Sequence, residues 1–376
     1  MNSFTLLNQA DIARVAPLKL PEPVLTGTTT PQTAAPQTSA QQPEQQSSDG
    51  VQVVYGDTNS NAEVTFTEPD QTTPASDAGP IDDVRRLSPG GAKIITLRDP
   101  SATGIGQPLQ LAHLPEMEAI EETEQGLLPV RTPDGRRPMD IYARPWSGTG
   151  GKRIALVIGG LGLSQTGTAR AIEQLPEDIT LAFAPNGNSL NRWMRAARKK
   201  GHELLLQVPM EPFGYPDVDP GPNTLRLASS SETNLENLHW AMSRLTNYTG
   251  IMNYLGGRFA TDERAMAPVL GDLAYRGLLL LNDGTASAQM GTAAKARGVP
   301  YGQAHIVIDA SLTRTDIMSK LKALEDLASA QGYAIGTGSA LGLTVDTVAE
   351  WANDAKKRGF EFVGISGVVQ TTSAGR

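Results

Sequence analysis

From Arg153 onward, short apolar runs alternate with longer segments of helical period, and this repeat restricts the fold more than any other feature of the chain. The runs are Ile154–Ile158, Ile179–Phe183, Glu203–Val208, Gly250–Tyr254, Leu278–Asn282, His305–Asp309, Tyr333–Gly336 and Phe360–Gly364. Helical periodicity fills 166–174, 189–200, 232–246, 263–276, 287–297, 314–331 and 344–358. Gly201, Gly277, Gly298, Gly332 and Gly359 stand where five of those segments stop, as helix C-termini favour. Such alternation predicts an α/β fold, a parallel sheet covered by helices. Seven or eight units favour a distorted (β/α) barrel over an open sheet. In either architecture the loops after the strands form the functional face.

The preceding residues read differently. Residues 1–80 hold a Pro/Thr/Gln/Ser-rich stretch with few large apolar groups, which cannot offset the entropy of ordering and reads as a disordered linker. Residues 81–150 have apolar anchors at Leu127, Leu128, Ile141, Tyr142 and Trp146 and read as a lead-in packed on the barrel, which occupies 151–370. The N-terminal twenty residues lack the basic start and apolar core of a signal peptide. No run reaches the length of a membrane-spanning helix.

Composition removes several chemistries. A net charge of −8 argues against nucleic acid as a partner. The basic group Arg195, Arg198, Lys199 and Lys200 reads as a solvated helix face. The absence of cysteine removes disulfides, thiolate metal sites and cysteine nucleophiles. Only four histidines are present, so a histidine-rich metal site is hard to assemble.

Gly159-Gly160-Leu161-Gly162 follows the first strand, but its spacing fits neither the dinucleotide fingerprint nor the P-loop, so a tight turn is the simpler reading. After the third strand come Gln207 and Glu211, then Phe213 and Tyr215 in a proline-stiffened loop. Those aromatics could stack on a sugar ring or fill the loop's underside. Asn253, Tyr254 and Arg258 follow the fourth strand, with Asp262 placed to cap a helix. Asp283 and Asp309 end the fifth and sixth strands. They are candidates for acid–base work if adjacent, or for capping the next turn. His202 and His305 open their strands, at the end away from the functional loops.

The segments IGGLG, GHELLLQVPMEP, PGPNTL, GIMNYLGGRF, LLLLNDGTAS, VID and AIGTGSA occur in the order found in divergent polysaccharide deacetylases, relatives of NodB-type carbohydrate esterases. The chain resembles that family over about residues 152–370. The resemblance implies a distorted deacetylase-type barrel, an acetylated polysaccharide or peptidoglycan-like glycan as partner, and a place in the cell envelope or periplasm. In the related esterases an Asp and two His hold a divalent metal, and a second Asp is the base. Here the family's Asp-Asp is Gly159-Gly160. Its His before Leu-Pro-Met is Gln207, its Asn-His is Asn253-Tyr254, its Asp-Ser is Asn282-Asp283, and its Gly-His is Gly336-Thr337.

Glycine has no donor atom, and Gln, Tyr and Thr are poor zinc ligands. The resemblance with these replacements implies a catalytically degenerate barrel that needs no cofactor. It would bind glycan through Gln207, Glu211, Tyr215, Asn253, Tyr254 and Arg258. A second reading keeps deacetylation, with Asp309 and Asp283 as catalytic groups and a weakly held zinc or no metal. A third makes the chain an envelope scaffold tethered by its linker.

Overall fold

The structure, a computed structural model, describes residues 106–148 and 151–373. The linker expected over 1–80, and the first part of the lead-in, lie outside the described residues. The lead-in contributes an antiparallel hairpin, β1 (Ile120–Thr123) and β2 (Gly126–Pro129), and a single helical turn, α1 (Pro138–Ile141).

Alternation then begins with β3 (Lys152–Leu161), α2 (Gln165–Gln174), β4 (Thr180–Phe183), α3 (Leu190–Lys200) and β5 (Leu204–Met210). It continues through α4 (Ser231–Met242), β6 (Gly250–Leu255), α5 (Glu263–Arg276), β7 (Leu279–Asn282) and α6 (Gln289–Ala296). The last part comprises β8 (Tyr301–Gln303), β9 (Ile306–Val307), α7 (Arg314–Gln331), β10 (Tyr333–Ser339), α8 (Gly342–Lys357), β11 (Phe360–Phe362) and α9 (Ile365–Ser373).

The main sheet is parallel, in the order β8-β7-β6-β5-β4-β3-β10-β9, with β11 beside the start of β3. Its two edges are joined by one stretch of chain. Ala304 N–H donates to Asn282 O on β7 (2.8 Å), and His305 N–H, one residue on, donates to Ile335 O on β10 (2.8 Å). The curled sheet is thus the distorted (β/α) barrel that the repeat predicts.

Period-2 alternation sorts the strand side chains into two cores. Ile154, Leu156, Ile158, Leu204, Leu206, Val208, Leu278 and Leu280 face the helices. Ala155, Val157, Ala182, Leu205, Leu279, Leu281 and Ile335 belong to a separate cluster that fills the barrel with Met139, Ile365, Val368 and Val369. The small inward residues let those groups from α1 and α9 occupy the interior.

The glycine stops fall as expected. Gly201, Gly277 and Gly332 are helix C-caps with φ of 103°, 74° and 87°. Gly298 and Gly359 sit one residue later, also at positive φ. Such backbones favour a residue without Cβ.

One expectation is corrected. Arg198 is not on a solvated face: it is 3% exposed and clasps the lead-in. Its guanidinium donates to Ala112 O (3.2 Å), Tyr142 O (2.9 Å) and His202 O (3.1 Å). Carbonyls satisfy the buried donors, and burial pulls its pKa down to about 10. Charge clustering could not reveal this, because the partners lie 86 and 56 residues away in the chain.

Candidate functional site

The inward positions of each strand, followed toward the C-terminal end, lead to the mouth of the barrel. Above Ala155 and Val157 on β3 comes Gly159; above Leu205 on β5 comes Gln207. Above Met252 comes Tyr254, above Leu281 comes Asp283, and above Ile335 comes Thr337. These five residues form the first layer over the apolar interior. It is also the layer in which the resemblance places metal ligands.

Gln207 is 8% exposed and accepts a hydrogen bond from Gly160 N–H through Oε1 (2.7 Å). Its Nε2 lies 2.9 Å from where a Cβ on Gly159 would stand. The amide therefore occupies the space that a side chain at 159 would need. Gly160, at φ 79°, adopts a backbone that disfavours residues with a Cβ.

Asp283 is held by a tight donor set. Its Oδ1 accepts from Asn253 Nδ2 (2.8 Å), Thr285 N–H (2.8 Å) and Thr285 Oγ1 (2.6 Å). Asn253, fully buried, also accepts from Asp283 N–H (2.9 Å) and donates to Leu255 O (2.6 Å). Leu255 is a non-glycine residue at φ 60°, and both Asn253 and Thr285 bond its carbonyl. Such a left-handed leucine costs about 1–2 kcal/mol and persists because these bonds fix it. Burial pushes the Asp283 carboxyl up to about 6, against the hydrogen bonds from Thr285 and Asn253. Asp283 is half-buried, and these three bonds converge on Oδ1.

Asp309 has different partners. Its Oδ2 accepts from Ser339 N–H (2.7 Å) and Thr344 Oγ1 (2.9 Å), tying the end of β9 to the turn into α8. Thr337 stands between the two acids. Its hydroxyl donates to Asp283 O (3.1 Å), and its carbonyl accepts from Ile308 N–H (2.8 Å). The carboxylates thus flank one strand end but share no donor.

The other candidates are spent more on the loops. Glu211 is 3% exposed; it accepts from Leu227 N–H (2.7 Å) and pairs with Arg258 (2.9 Å). That pair staples the loop after β5 to the loop after β6. Tyr215 is half-buried under the Arg226 guanidinium, 5.1 Å from its ring centre. Phe213 and Tyr254 remain exposed. Asp262 caps α5, accepting from Arg264 N–H (2.8 Å). Thr285 and Thr344 were missed by sequence reasoning. The Asp283-Gly284-Thr285 turn was the available signal for the first, since an Asp side chain commonly bonds the backbone two residues on.

The donor set does not fit the divalent metal of the related esterases. Among the described residues, no three of His, Asp, Glu and Cys converge as ligands. His202 is buried beneath the barrel wall, donating Nδ1–H to Ile179 O (2.8 Å), and His305 accepts from Ile335 N–H (3.0 Å). Neither lies in the mouth layer. No described helix is long and apolar enough to cross a membrane.

The profile of the family described as divergent polysaccharide deacetylase matches residues 156–369. An uncharacterized protein of Agrobacterium tumefaciens C58, known from a crystal structure, is 51% identical with a TM-score of 0.63. The match covers 64% of this chain and 98% of that one. An uncharacterized protein of Haemophilus influenzae and the uncharacterized protein YibQ of Escherichia coli K12 are each 26% identical over 187 residues, 50% of this chain. Those matches cover 66% and 58% of the two relatives, so the chain spans less than two thirds of either. The matched residues begin inside β3 and run into α9, taking in the whole mouth layer. The chain belongs to the divergent polysaccharide deacetylase family.

Proposed function

We propose that this barrel binds an acetylated envelope glycan, of polysaccharide or peptidoglycan type, without hydrolysing it. The observation that carries the reading is the Gln207–Gly160 hydrogen bond. A neutral amide occupies the space at Gly159 where the family's reaction needs an acid, and its bond is internal to the protein. The layer that remains offers hydroxyl and carboxylate groups from Tyr254, Asp283 and Thr337, which suit sugar hydroxyls. Exposed Phe213 and Tyr254 add apolar faces for a pyranose ring.

The test pairs binding with turnover. Calorimetric titration with an N-acetylated chitooligosaccharide should show saturable binding unchanged by chelator, weakened by Tyr254→Ala. Acetate release should stay at background with zinc, cobalt or manganese added. Acetate release that saturates with substrate would overturn the reading.

One observation favours a second reading, in which hydrolysis survives. Asp283, half-buried beside the mouth layer, holds a carboxyl raised to about 6 by burial, suited to accepting a proton from water at neutral pH. That reading requires acetate release that rises through about pH 6 and disappears in Asp283→Asn.

A further inference from the structure

We propose that the unpaired edge of β8, below the mouth layer, binds a short extended peptide through its backbone and its free carboxylate.

The site arises from the way the barrel closes. Leu280 N–H donates to Pro300 O (2.9 Å) and Ala304 N–H to Asn282 O (2.8 Å), which fixes the parity of β8. Gly302 therefore faces β7. Tyr301 and Gln303 turn their N–H and C=O groups the other way, toward β10. Among the described residues no partner meets them, because the chain reaches β10 only from His305 onward.

The two sides of this gap are treated differently. On the β10 side, Ile335 N–H donates to His305 Nδ1 (3.0 Å), and Tyr333 O accepts from Gln331 Nε2 (3.0 Å). Side chains thus cap that edge. On the β8 side the four main-chain groups have no such cap among the described residues. Uncapped edges are what strand addition uses.

The gap forms a cavity of about 460 Å³, within the range of small-ligand sites. Arg137, Lys295, Tyr301, Gln303, His305 and Tyr333 are among its walls, and among the described residues no Asp or Glu lines it. That is notable in a chain with 40 acidic residues and a net charge of −8. Arg137 is engaged by Asp140 through two hydrogen bonds (2.6 and 2.8 Å), whereas Lys295 makes no ion pair among the described residues. Among the described residues the cavity therefore offers one cation without an ion pair, beside alternating donors and acceptors. Alternation suits an extended backbone rather than an inorganic ion, and the cation suits a carboxylate. The edge spans three residues, roughly 10 Å, which limits the ligand to a di- or tripeptide length. These residues are separate from the mouth layer, so the proposal stands apart from the glycan reading.

The full chain, labelled with nitrogen-15, is titrated with tri-alanine bearing a free carboxylate and with its amide-capped form. Saturable shifts are expected at the Tyr301 and Gln303 amides. The amide cap and Lys295→Glu should each weaken binding about tenfold. Gln303→Pro should abolish it with an unchanged unfolding midpoint, since the N–H it removes carries no ladder bond. Should that variant unfold, the cap and Lys295→Glu decide alone. Absent shifts at both amides up to about 10 mM, or equal affinity for capped peptide and for Lys295→Glu, would sink the proposal.

Discussion

The mouth is set by single contacts, and the Gly159–Gln207 approach is the most exacting. A methyl group at 159 must displace an amide only 2.9 Å away and break its bond to Gly160. Gly159→Ala should therefore destabilise by about 1–3 kcal/mol in urea melts. In a Gln207→Ala background the same change should cost at least about 1 kcal/mol less, the coupling expected of two residues in contact. Two other residues set the response to pH. His202 is fully buried and neutral, with burial drawing its pKa down to about 4. Between about pH 4 and 6.5 the unfolded chain binds a proton there that the folded chain refuses, so stability rises with pH. Asp283 runs the opposite way: folded, it keeps its proton to about 6, so between its ordinary value and 6 stability falls as pH rises. The two slopes, each up to about 1.4 kcal/mol per pH unit, nearly cancel across that window. Thermal melts from pH 4 to 6 should show Asp283→Asn gaining stability with pH and His202→Gln losing it.

At the scale of elements, the repeat in the sequence was enough to predict the barrel, because outward-facing apolar residues and glycine stops are local signals. Several elements escaped it. β8 is only three residues, Tyr301-Gly302-Gln303, with neither an apolar run nor alternation to mark it. α9 begins at Ile365, where the expected last strand had just ended. The β1–β2 hairpin turns on Glu124-Gln125 and lacks the glycine at its tip that a tight hairpin favours. The site was legible in part. Asp283, Asn253 and Gln207 were found from strand ends, but the internal use of Glu211 was not, since its partners Leu227 and Arg258 are fixed by loop geometry. α9 is also anchored by a group that the repeat does not mark. Glu203, buried at the start of β5, accepts from Ser366 N–H (2.9 Å), Ser366 Oγ (2.6 Å), Arg144 N–H (2.9 Å) and Thr249 Oγ1 (3.2 Å). Gly364 permits this approach, because a Cβ there would collide with the carboxylate. Glu203→Ala strands those donors and should cost about 3–5 kcal/mol, with Ser366→Ala, which removes one donor, costing about 1. Chemical denaturation measures both.

For the molecule as a whole, the interior plug and the closing stretch matter most. Met139, from outside the repeat, and Val368 and Val369, from its last helix, share one interior cluster. Truncation before Ile365 should therefore expose the barrel interior and be read as binding of a hydrophobic dye, rather than as a simple loss of a peripheral helix. The tyrosine of β8 also reaches toward the mouth: Asn282 Nδ2 donates to Tyr301 Oη (3.1 Å), while Asn282 Oδ1 accepts from Gly284 N–H (2.9 Å) in the turn that carries Asp283. The partner switch between Ala304 and His305 makes the ring of strands resemble a split washer. One short tongue bridges the cut, and each half of the tongue grips only one rim. Opening there breaks few bonds, whereas parting β5 from β6 breaks a six-residue register. Native-state hydrogen exchange should find the amides of 304–308 released by a local opening well below the global unfolding free energy, while those of β5 and β6 exchange only when the whole molecule comes apart.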